Sequence, residues 1–295
     1  MKRCLISIAV WGALVCFPIF QSSEACTLWG ATGRSVEGGG TLVAKNRDWT
    51  PDHRQELTVL KEAGKYGFLA LKAVGGAEPG IKAGVNEKGL VIVSATASQV
   101  TKAERKKFQQ KKQWMGHLLA TCASVQDVLN NVEWMQRPVF YMVGDRRELA
   151  VIEIAPDGRR SVTRTDTGTL IHTNHYCAID AQNLRKPGTS SIRRSARIEE
   201  LLRSQKTPFG VEDFIRFGED RDDGPDNSIW RIGSNPQKTR TLAAWLVSIP
   251  ASGGPRLYLK TADPGEPERI CRLSVGEALR MNGRKTIPLD DALCR

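Results

Sequence analysis

Several features that mark particular classes of protein are missing from this chain of 295 residues. After residue 25, no apolar run reaches the ~18 residues of a membrane-spanning helix, which excludes a multi-span membrane protein. No internal repeat, low-complexity tract or clear linker is found, and the composition excludes collagen-like, coiled-coil and disordered chains. The residues are 40% hydrophobic and 25% charged, which predicts a globular protein with a sizeable core.

Metal-binding motifs are missing as well. The chain holds 4 histidines and has neither a His-Glu-x-x-His motif nor paired Cys-x-x-Cys motifs. His172, His175 and Cys177 lie close together in the sequence, but the two histidines would point to opposite faces of a strand. We therefore expect no metal and no other cofactor.

Acidic residues are fewer than basic ones, 32 against 43, and the net charge is +11. A surplus of this kind suits nucleic acid, a membrane surface, an anionic polymer or an acidic substrate. The basic stretch from Lys102 to Lys112 comes with no RNA-binding aromatic motif and no zinc-finger spacing. We therefore interpret this stretch as a solvated helix face, and we expect no nucleic-acid partner.

The first 25 residues have the pattern of a signal peptide. Lys2 and Arg3 precede an apolar stretch from Cys4 to Phe20, and small residues stand at positions 23 and 25, which a signal peptidase reads. The apolar stretch is shorter than the ~20 residues of an uncleaved membrane anchor. We expect residues 1–25 to be removed and residues 26–295 to be exported, to the periplasm or beyond, as a single domain without membrane contact.

Removal of that segment would make Cys26 the first residue of the mature chain. A cysteine in this place has a thiol and a free α-amine, whose pKa of about 8 makes it a usable base at neutral pH. Attachment of lipid to Cys26 is a second interpretation, although Glu24 is a charged residue where lipoproteins have none. A structural cysteine is a third.

Two strand-like runs, Cys26 to Ala31 and Gly40 to Trp49, flank a segment that ends in three consecutive glycines. This pattern predicts an antiparallel hairpin. The hairpin would bring the end of the second run back to the start of the first, so that Lys45 to Asp48 lie beside Cys26. A carboxylate and two cations would then surround the amine and the thiol, where they can hold the amine and favour the thiolate.

The Cys26-Thr27 start and the run Lys45-Asn46-Arg47-Asp48 resemble the cysteine N-terminal nucleophile (Ntn) hydrolases. The resemblance is to the acyl-coenzyme A:6-aminopenicillanic acid acyltransferase-like peptidases, the choloylglycine hydrolases and the penicillin V acylases. These families open with Cys-Thr and continue with Arg-Asn-x-Asp. Asp48 therefore matches, and the family's arginine is replaced by Lys45 unless Arg47 takes over its charge. The resemblance spans residues 26–265 and implies an α+β fold, the four-layer αββα sandwich of the Ntn hydrolases.

Two later segments extend the resemblance. The run Thr173-Asn174-His175-Tyr176 matches a strand end of the family, which implies that Asn174 donates its amide to the oxyanion of a tetrahedral intermediate. Ser190-Ser191 begins a predicted helix, and either serine is the expected N-cap. Arg194 shares the apolar, inward-facing stripe of this helix and has the spacing of the family's site arginine. A buried structural ion pair is the alternative interpretation of Arg194.

The implied activity is hydrolysis of a linear amide bond through an acyl-thioester on Cys26, and the implied site contains Cys26, Lys45, Asp48, Asn174 and Arg194. Water or a second amine would release the acyl group, so the sequence is compatible with a hydrolase and with an acyltransferase. It is also compatible with a homo-oligomer. The expected partner is a small-molecule amide, and the cations near the site favour one that carries a carboxylate. The competing interpretations are an exported basic protein that binds anionic cell-wall or nucleic-acid polymers, with its cysteines in disulfides, and a lipoprotein with a lipidated Cys26.

Overall fold

The computed structural model describes residues 25–76, 78–108, 113–280, 286–290 and 294. The expected signal segment, apart from Ala25, lies outside these residues, and so do Lys111 and Lys112 of the basic stretch. No helix in these ranges combines the length and the apolar content that a membrane crossing requires.

The described residues form mainly β-strands. In chain order the strands are β1 (Ala25–Thr32), β2 (Gly40–Trp49), β3 (Arg54–Leu60), β4 (Phe68–Val74), β5 (Gly80–Asn86), β6 (Val91–Thr96), β7 (Val139–Gly144), β8 (Leu149–Ile154), β9 (Arg160–Thr165), β10 (Gly168–His172), β11 (Arg240–Pro250), β12 (Arg256–Thr261), β13 (Arg269–Ser274) and β14 (Thr286–Ile287).

Helices connect or follow these strands. They are α1 (Lys102–Lys107), α2 (Trp114–Thr121), α3 (Val125–Asn130), α4 (Thr189–Ser204), α5 (Val211–Gly218), α6 (Gly224–Asn227) and α7 (Val275–Arg280), with short 3₁₀ turns at Gly33–Ser35 and Val132–Trp134.

The strands form two antiparallel sheets. Within the described ranges, the smaller sheet has the order β10-β1-β2-β11-β12-β13 and the larger one the order β14-β3-β4-β5-β6-β7-β8-β9. The larger sheet is almost a meander, in which strands that are consecutive in the sequence are neighbours. The smaller sheet is different, because β1 and β2 lie between β10 and β11, which come much later in the chain. This non-local pairing brings distant residues to the start of β1.

Apolar side chains pack in three layers around these sheets. Leu28 and Trp245 of the smaller sheet pack with Leu69 and Val93 of the larger sheet in the core between them. Helices α2 and α3 cover the outer face of the larger sheet, and α4 and α5 cover the outer face of the smaller one. The succession of helix, sheet, sheet and helix confirms the predicted α+β, four-layer αββα sandwich.

Strands β1 and β2 form the predicted hairpin. Their register pairs Cys26 with Arg47 and Ala25 with Asp48. The three glycines Gly38–Gly40 have φ values of 69°, 75° and 91°, in the left-handed region that residues with a Cβ avoid. The glycines therefore allow the chain reversal that places the Lys45-to-Asp48 run beside Cys26, as predicted.

The start of α4 differs from the prediction. Its N-cap is Gly188, and no side chain caps the helix. The Ser190 hydroxyl donates to the carbonyl of Asp226 at 3.0 Å, and the Ser191 hydroxyl accepts from the backbone N–H of Asn174 at 2.9 Å. The predicted serine caps are wrong because other segments use both hydroxyls. Ser191 thereby fixes the backbone of a residue that the sequence places in the site.

The described cysteines include one disulfide, between Cys271 of β13 and Cys294 near the C-terminus. Cys26, Cys122 and Cys177 are free thiols, of which Cys26 and Cys122 are buried. The polymer-binding interpretation needed the cysteines to be paired. Cys26 is not paired, and its sulfur is free for chemistry.

The approach of β5 to α2 gives a test of the packing. A methyl group at Gly84 would overlap the side chain of Leu119 on α2 and would lie 3.1 Å from the carbonyl of Leu69. We expect Gly84→Ala to lower the free energy of unfolding by about 1–3 kcal/mol, measured by urea unfolding. The control is Gly254→Ala, whose methyl group meets no atom within 4 Å. Equal unfolding midpoints for the two variants would contradict this packing.

Candidate active site

The side chain of Cys26 lines a small chamber between the two sheets. The chamber has a volume of about 100 Å³, and Cys26 is only 6% exposed. Cations dominate its polar lining; the charged and aromatic members include Lys45, Arg47, Trp49, Lys82, Arg105 and Arg137. A larger cavity, of about 880 Å³, lies against β12 and β13 and does not include Cys26 among its described lining residues.

Alternation along β2 sends neighbouring side chains to opposite faces of the smaller sheet. Lys45 and Arg47 line the chamber with Cys26, between the sheets. Asn46 points the other way, and its amide donates to two backbone carbonyls of the helical layer. Asp48 shares the face of Asn46. The structure therefore brings Lys45 and Arg47 to the thiol and places Asp48 on the opposite side of the strand.

Lys45 is fixed by the larger sheet. Its Nζ donates to the carbonyls of Lys82, at 2.8 Å, and Ser94, at 2.6 Å. Burial lowers the pKa of Lys45 to about 8, and the negative charge of Cys26 or Asp48 opposes this shift. The ammonium is thus fixed in the chamber that Cys26 also lines, and its charge is lost in the mildly alkaline range.

Arg47, the strand partner of Cys26, is fixed within the smaller sheet and its neighbouring loop. Its guanidinium donates to Nδ1 of His53 at 3.0 Å and lies 5.4 Å from the ring of Trp49. Burial lowers the pKa of Arg47, against the opposing charges of Cys26 and Asp48. Both candidates for the family's cationic role therefore lie near the thiol.

The backbone of Cys26 is held on both sides by predicted site residues. Its N–H donates to Oδ1 of Asn174 at 2.7 Å, and its carbonyl accepts from Arg194 at 2.6 Å. Arg194 also donates to the hydroxyl of Thr27 at 2.8 Å and to Oδ1 of Asn174 at 3.0 Å. Arg194 is 0% exposed, which confirms its predicted inward orientation. Burial lowers the pKa of Arg194 to about 10, and Asp48 opposes this shift.

The amide nitrogen of Asn174 has a partner that the sequence did not reveal. It donates to the carbonyl of Thr96 at 2.9 Å, so one amide hydrogen is used in this way and one is left. The oxygen of the same amide holds the nitrogen of Cys26. The contribution of Asn174 to an oxyanion site stays a prediction.

Asp48 is fully buried and only partly satisfied. Its Oδ1 accepts from the hydroxyl of Thr241 at 2.8 Å, whereas Oδ2 has no hydrogen-bond partner among the described residues. The nearest cation to Oδ2 is Arg231, at 3.8 Å. Burial raises the pKa of Asp48, and the charges of Arg194 and Arg231 oppose this shift. An acceptor oxygen is therefore open beside Ala25, the residue that precedes Cys26.

Three cations of the chamber were not predicted as site residues. Lys82 lies on β5 of the larger sheet, and Arg137 lies just before β7. No local pattern reveals where these segments lie relative to Cys26. The prediction was wrong for Arg105, which was expected on a solvated helix face. It is buried, and its guanidinium donates to the carbonyl of Val100 at 2.6 Å, while Lys102 and Lys106 are exposed as expected.

The segment after Asn174 is held by a buried carboxylate. Glu153 accepts hydrogen bonds from the backbone N–H groups of residues 177–179 and from the ring of His172 at 2.9 Å. The other ring nitrogen of His172 faces the carbonyl of Thr173 at 3.0 Å. Burial alone would lower the pKa of His172, but its contacts with Cys177 and Glu153 raise it to about 9.

Ligand atoms of Glu153, His172 and Cys177 lie within 4.8 Å of one another, as in a metal site. Both ring nitrogens of His172 face acceptors, however, and therefore carry protons, whereas a metal needs a neutral ring nitrogen. The carboxylate of Glu153 is also occupied by backbone N–H groups. The contacts of Glu153 and His172 are suited to hold the strand end at Asn174 in place, and the cluster does not fit a metal ion.

Comparisons with known proteins agree with this architecture. The family model described as acyl-coenzyme A:6-aminopenicillanic acid acyl-transferase matches residues 35–264. No curated protein matches the sequence.

Solved structures that are similar to the chain include the following two. A variant of the conjugated bile acid hydrolase from Clostridium perfringens has a TM-score of 0.58 and 13% identity, over 89% of this chain and 96% of that one. The Caenorhabditis elegans ortholog of N-acylethanolamine-hydrolyzing acid amidase has a TM-score of 0.52 and 13% identity, over 77% of this chain and 94% of that one. At such identities the similarity shows a shared fold.

The contact between Glu153 and His172 predicts a pH-dependent stability. The pKa of His172 is raised from its ordinary value of 6.5 to about 9. Its contribution to the free energy of unfolding is therefore complete below about pH 6.5 and is lost as the pH rises through about 9. Burial alone would raise the pKa of the Cys177 thiol, but its contacts with His172 and His175 lower it to about 6. The contribution of Cys177 to stability therefore increases with pH over the same range, opposite to that of His172. The test therefore uses the Cys177→Ser background.

In that background the Cys177 thiol no longer raises the pKa of His172, and Glu153 still does. We therefore expect the free energy of unfolding to fall as the pH rises above about 6.5. Adding Glu153→Gln should lower it by about 3 kcal/mol at pH 6, because the buried imidazolium loses its carboxylate. It should also remove the decline at higher pH. Guanidinium unfolding at five pH values measures both effects. Parallel pH profiles for the two proteins would show that this contact does not control stability.

Proposed function

The chain belongs to the acyl-coenzyme A:6-aminopenicillanic acid acyl-transferase family, and from this membership we propose that it is an Ntn amidohydrolase with Cys26 as its nucleophile. One observation carries the proposal: a free thiol lies in a cation-lined chamber, and both backbone groups of the same residue are fixed by Asn174 and Arg194. The names of the two structural neighbours, a conjugated bile acid hydrolase and an acid amidase, support small-molecule amides as the substrate class.

Activation requires that the bond between Ala25 and Cys26 is cut, which the proposed export and removal of residues 1–25 would accomplish. The amide nitrogen of Cys26 then becomes an amine, while Oδ1 of Asn174 remains an acceptor for it. Removal of Ala25 also takes away the strand partner of Asp48. The open Oδ2 of Asp48 supports a role for this carboxylate in orienting the new amine.

The proposed reaction uses the Cys26 amine as the base. The amine takes the thiol proton, and the sulfur attacks the amide carbonyl. The resulting oxyanion accepts a hydrogen bond from the remaining N–H of Asn174. The carbon–nitrogen bond breaks as the protonated amine of Cys26 gives its proton to the leaving nitrogen. Water, activated by the same amine, then cleaves the thioester and releases the acid. An incoming amine in place of water would make the enzyme an acyltransferase.

Lipid attachment is the main alternative for Cys26. The burial of the side chain argues against it, because the lipid of a lipoprotein must extend from this sulfur into a membrane, and Cys26 is only 6% exposed. No observation favours the polymer-binding alternative over the enzyme.

Replacement of the nucleophile is the first test. We expect Cys26→Ala to lose at least about 10³-fold in turnover, because no other group would form the thioester. Its unfolding free energy should change by no more than about 1 kcal/mol. Amine release from a panel of N-acyl amines and N-acyl amino acids measures the activity, and mass spectrometry checks that Cys26 is the first residue.

Cys177→Ala is the matched control, since this exposed thiol lies outside the chamber. This variant should be as active as the wild type, and one equivalent of iodoacetamide should still inactivate it. Wild-type turnover in Cys26→Ala, on any substrate that the wild type cleaves, would rule out the nucleophile assignment.

A second test separates the two cations beside the thiol. If Lys45 has the family's cationic role, Lys45→Met should reduce acylation more than Arg47→Met does, by about tenfold or more, and Lys45→Arg should keep most of the activity. Single-turnover kinetics of acyl-enzyme formation give the comparison. A larger loss in Arg47→Met would transfer the role to Arg47, and equally small losses would leave Arg194 as the cation that matters.

A further inference from the structure

The Cys26 chamber shares part of its wall with a larger cleft on the same side of the molecule. This outer cleft has a volume of about 700 Å³. Residues common to both walls form what we call the neck, and they are Glu78, Ile81, Lys82, Trp114 and Arg137. The chamber accommodates only roughly seven to ten water-sized groups, so an amide with its carbonyl at Cys26 must extend past the neck.

The neck is positively charged. Lys82 and Arg137 line it, and Lys45 and Arg47 stand behind them in the chamber. Among the described residues that line the chamber and neck, Glu78 is the one carboxylate. Lys45 and Arg47 are buried, and Lys82 and Arg137 are half-buried. Cations gathered so closely create a potential that favours an anionic group.

Lys82 has donors to spare. Its Nζ donates to the backbone carbonyl of Glu78 at 2.8 Å and lies 5.9 Å from the ring of Trp49. An ammonium has three N–H donors, and this is its one hydrogen bond within the described ranges. Burial and the charges of Arg47 and Lys45 lower its pKa to about 8, which reflects the same crowding of cations. An anion at this point would relieve that crowding.

Beyond the neck, the outer cleft has an apolar and aromatic wall. Phe68 and Met115 contribute to it, and Trp114 stands edge-on to Tyr141 at 4.8 Å. The rings of His117 and Trp134 are stacked 3.6 Å apart at its border. Such a wall suits a hydrocarbon or aromatic group.

We propose that Lys82 and Arg137 form an anion subsite that selects amides with a carboxylate close to the scissile bond, in the manner of N-acyl amino acids, with the apolar group of the substrate against the aromatic wall. This inference rests on the proposed function, because it assumes attack by Cys26. Under this proposal Lys82 and Arg137, rather than Arg194, recognise the charge of the substrate. Arg194 lies on the other face of the smaller sheet, where it contacts the backbone of Cys26, and it is not part of the described chamber lining.

The experiment compares N-(3-phenylpropanoyl)glycine with its neutral glycinamide. In the wild type we expect kcat/KM for the acid to exceed that for the glycinamide by about tenfold or more, mainly through KM, because a charge-assisted contact is present in the bound ground state. Lys82→Met should reduce this ratio to about twofold or less, and Lys82→Arg should restore it. The preference should survive high salt, which screens distant charges but not a direct contact.

Lys88→Met is the matched control. It removes the same charge from the β5–β6 turn, where the side chain is exposed and lies outside both cavities. The ratio should be unchanged in this variant. A ratio near one in the wild type, or a ratio that persists in both Lys82→Met and Arg137→Met, would overturn the subsite.

A binding arm separates failure of the subsite from failure of the proposed function. Calorimetric titration of mature Cys26→Ala with the two amides needs no turnover, and the acid should bind about tenfold more tightly. If the wild type cleaves neither amide but this difference is found and is lost on adding Lys82→Met, the subsite stands and the proposed chemistry fails. Equal affinities overturn the subsite, whatever the activity.

Discussion

The guanidinium of Arg194 joins three segments that are distant in sequence. From α4 it reaches through the smaller sheet's outer face to the carbonyl of Cys26 on β1, the hydroxyl of Thr27 and the amide oxygen of Asn174 after β10. A buried arginine is tolerated only where acceptors meet its N–H groups, and these acceptors are parts of the candidate site itself. The geometry around Cys26 therefore depends on how α4 packs, and a shift of α4 would move the groups that hold Cys26.

The sandwich supports this arrangement from both sides. On the side of the helices, Ser191 of α4 holds the backbone of Asn174. From β8 of the larger sheet, Glu153 holds the residues that follow Asn174. On the side of the larger sheet, carbonyls of β5 and β6 hold the ammonium of Lys45. The buried charges are expensive to desolvate, and fixed backbone dipoles compensate for them. Such preorganised groups are the kind that stabilise charge during a reaction.

The part of the site that could be predicted is the part that one hairpin creates. The strand runs around Gly38–Gly40 were sufficient to place Lys45 and Asp48 near Cys26, and the apolar stripe of α4 was sufficient to turn Arg194 inward. The alternation of side chains along β2 also places Lys45 and Arg47 on one face and Asp48 on the other. Which face Cys26 shares is known only from the register of β1 against β2. Lys82 and Arg137 could not be found in this way, because they reach Cys26 through the stacking of two sheets, which no local spacing encodes. The serine caps failed for a similar reason, since tertiary partners took both hydroxyls.

The pairing of Ala25 with Asp48 has a consequence for the order of events in biosynthesis. Ala25 is 1% exposed and is already a member of β1, so the bond to Cys26 is buried in the folded domain. A peptidase binds its substrate as an extended, accessible segment, and the folded hairpin offers none. Under the proposed function, the cut must therefore come before β1 and β2 close. Maturation would then be a step in the delivery of a still unfolded chain, and a domain that folded too early would be trapped as an inactive precursor.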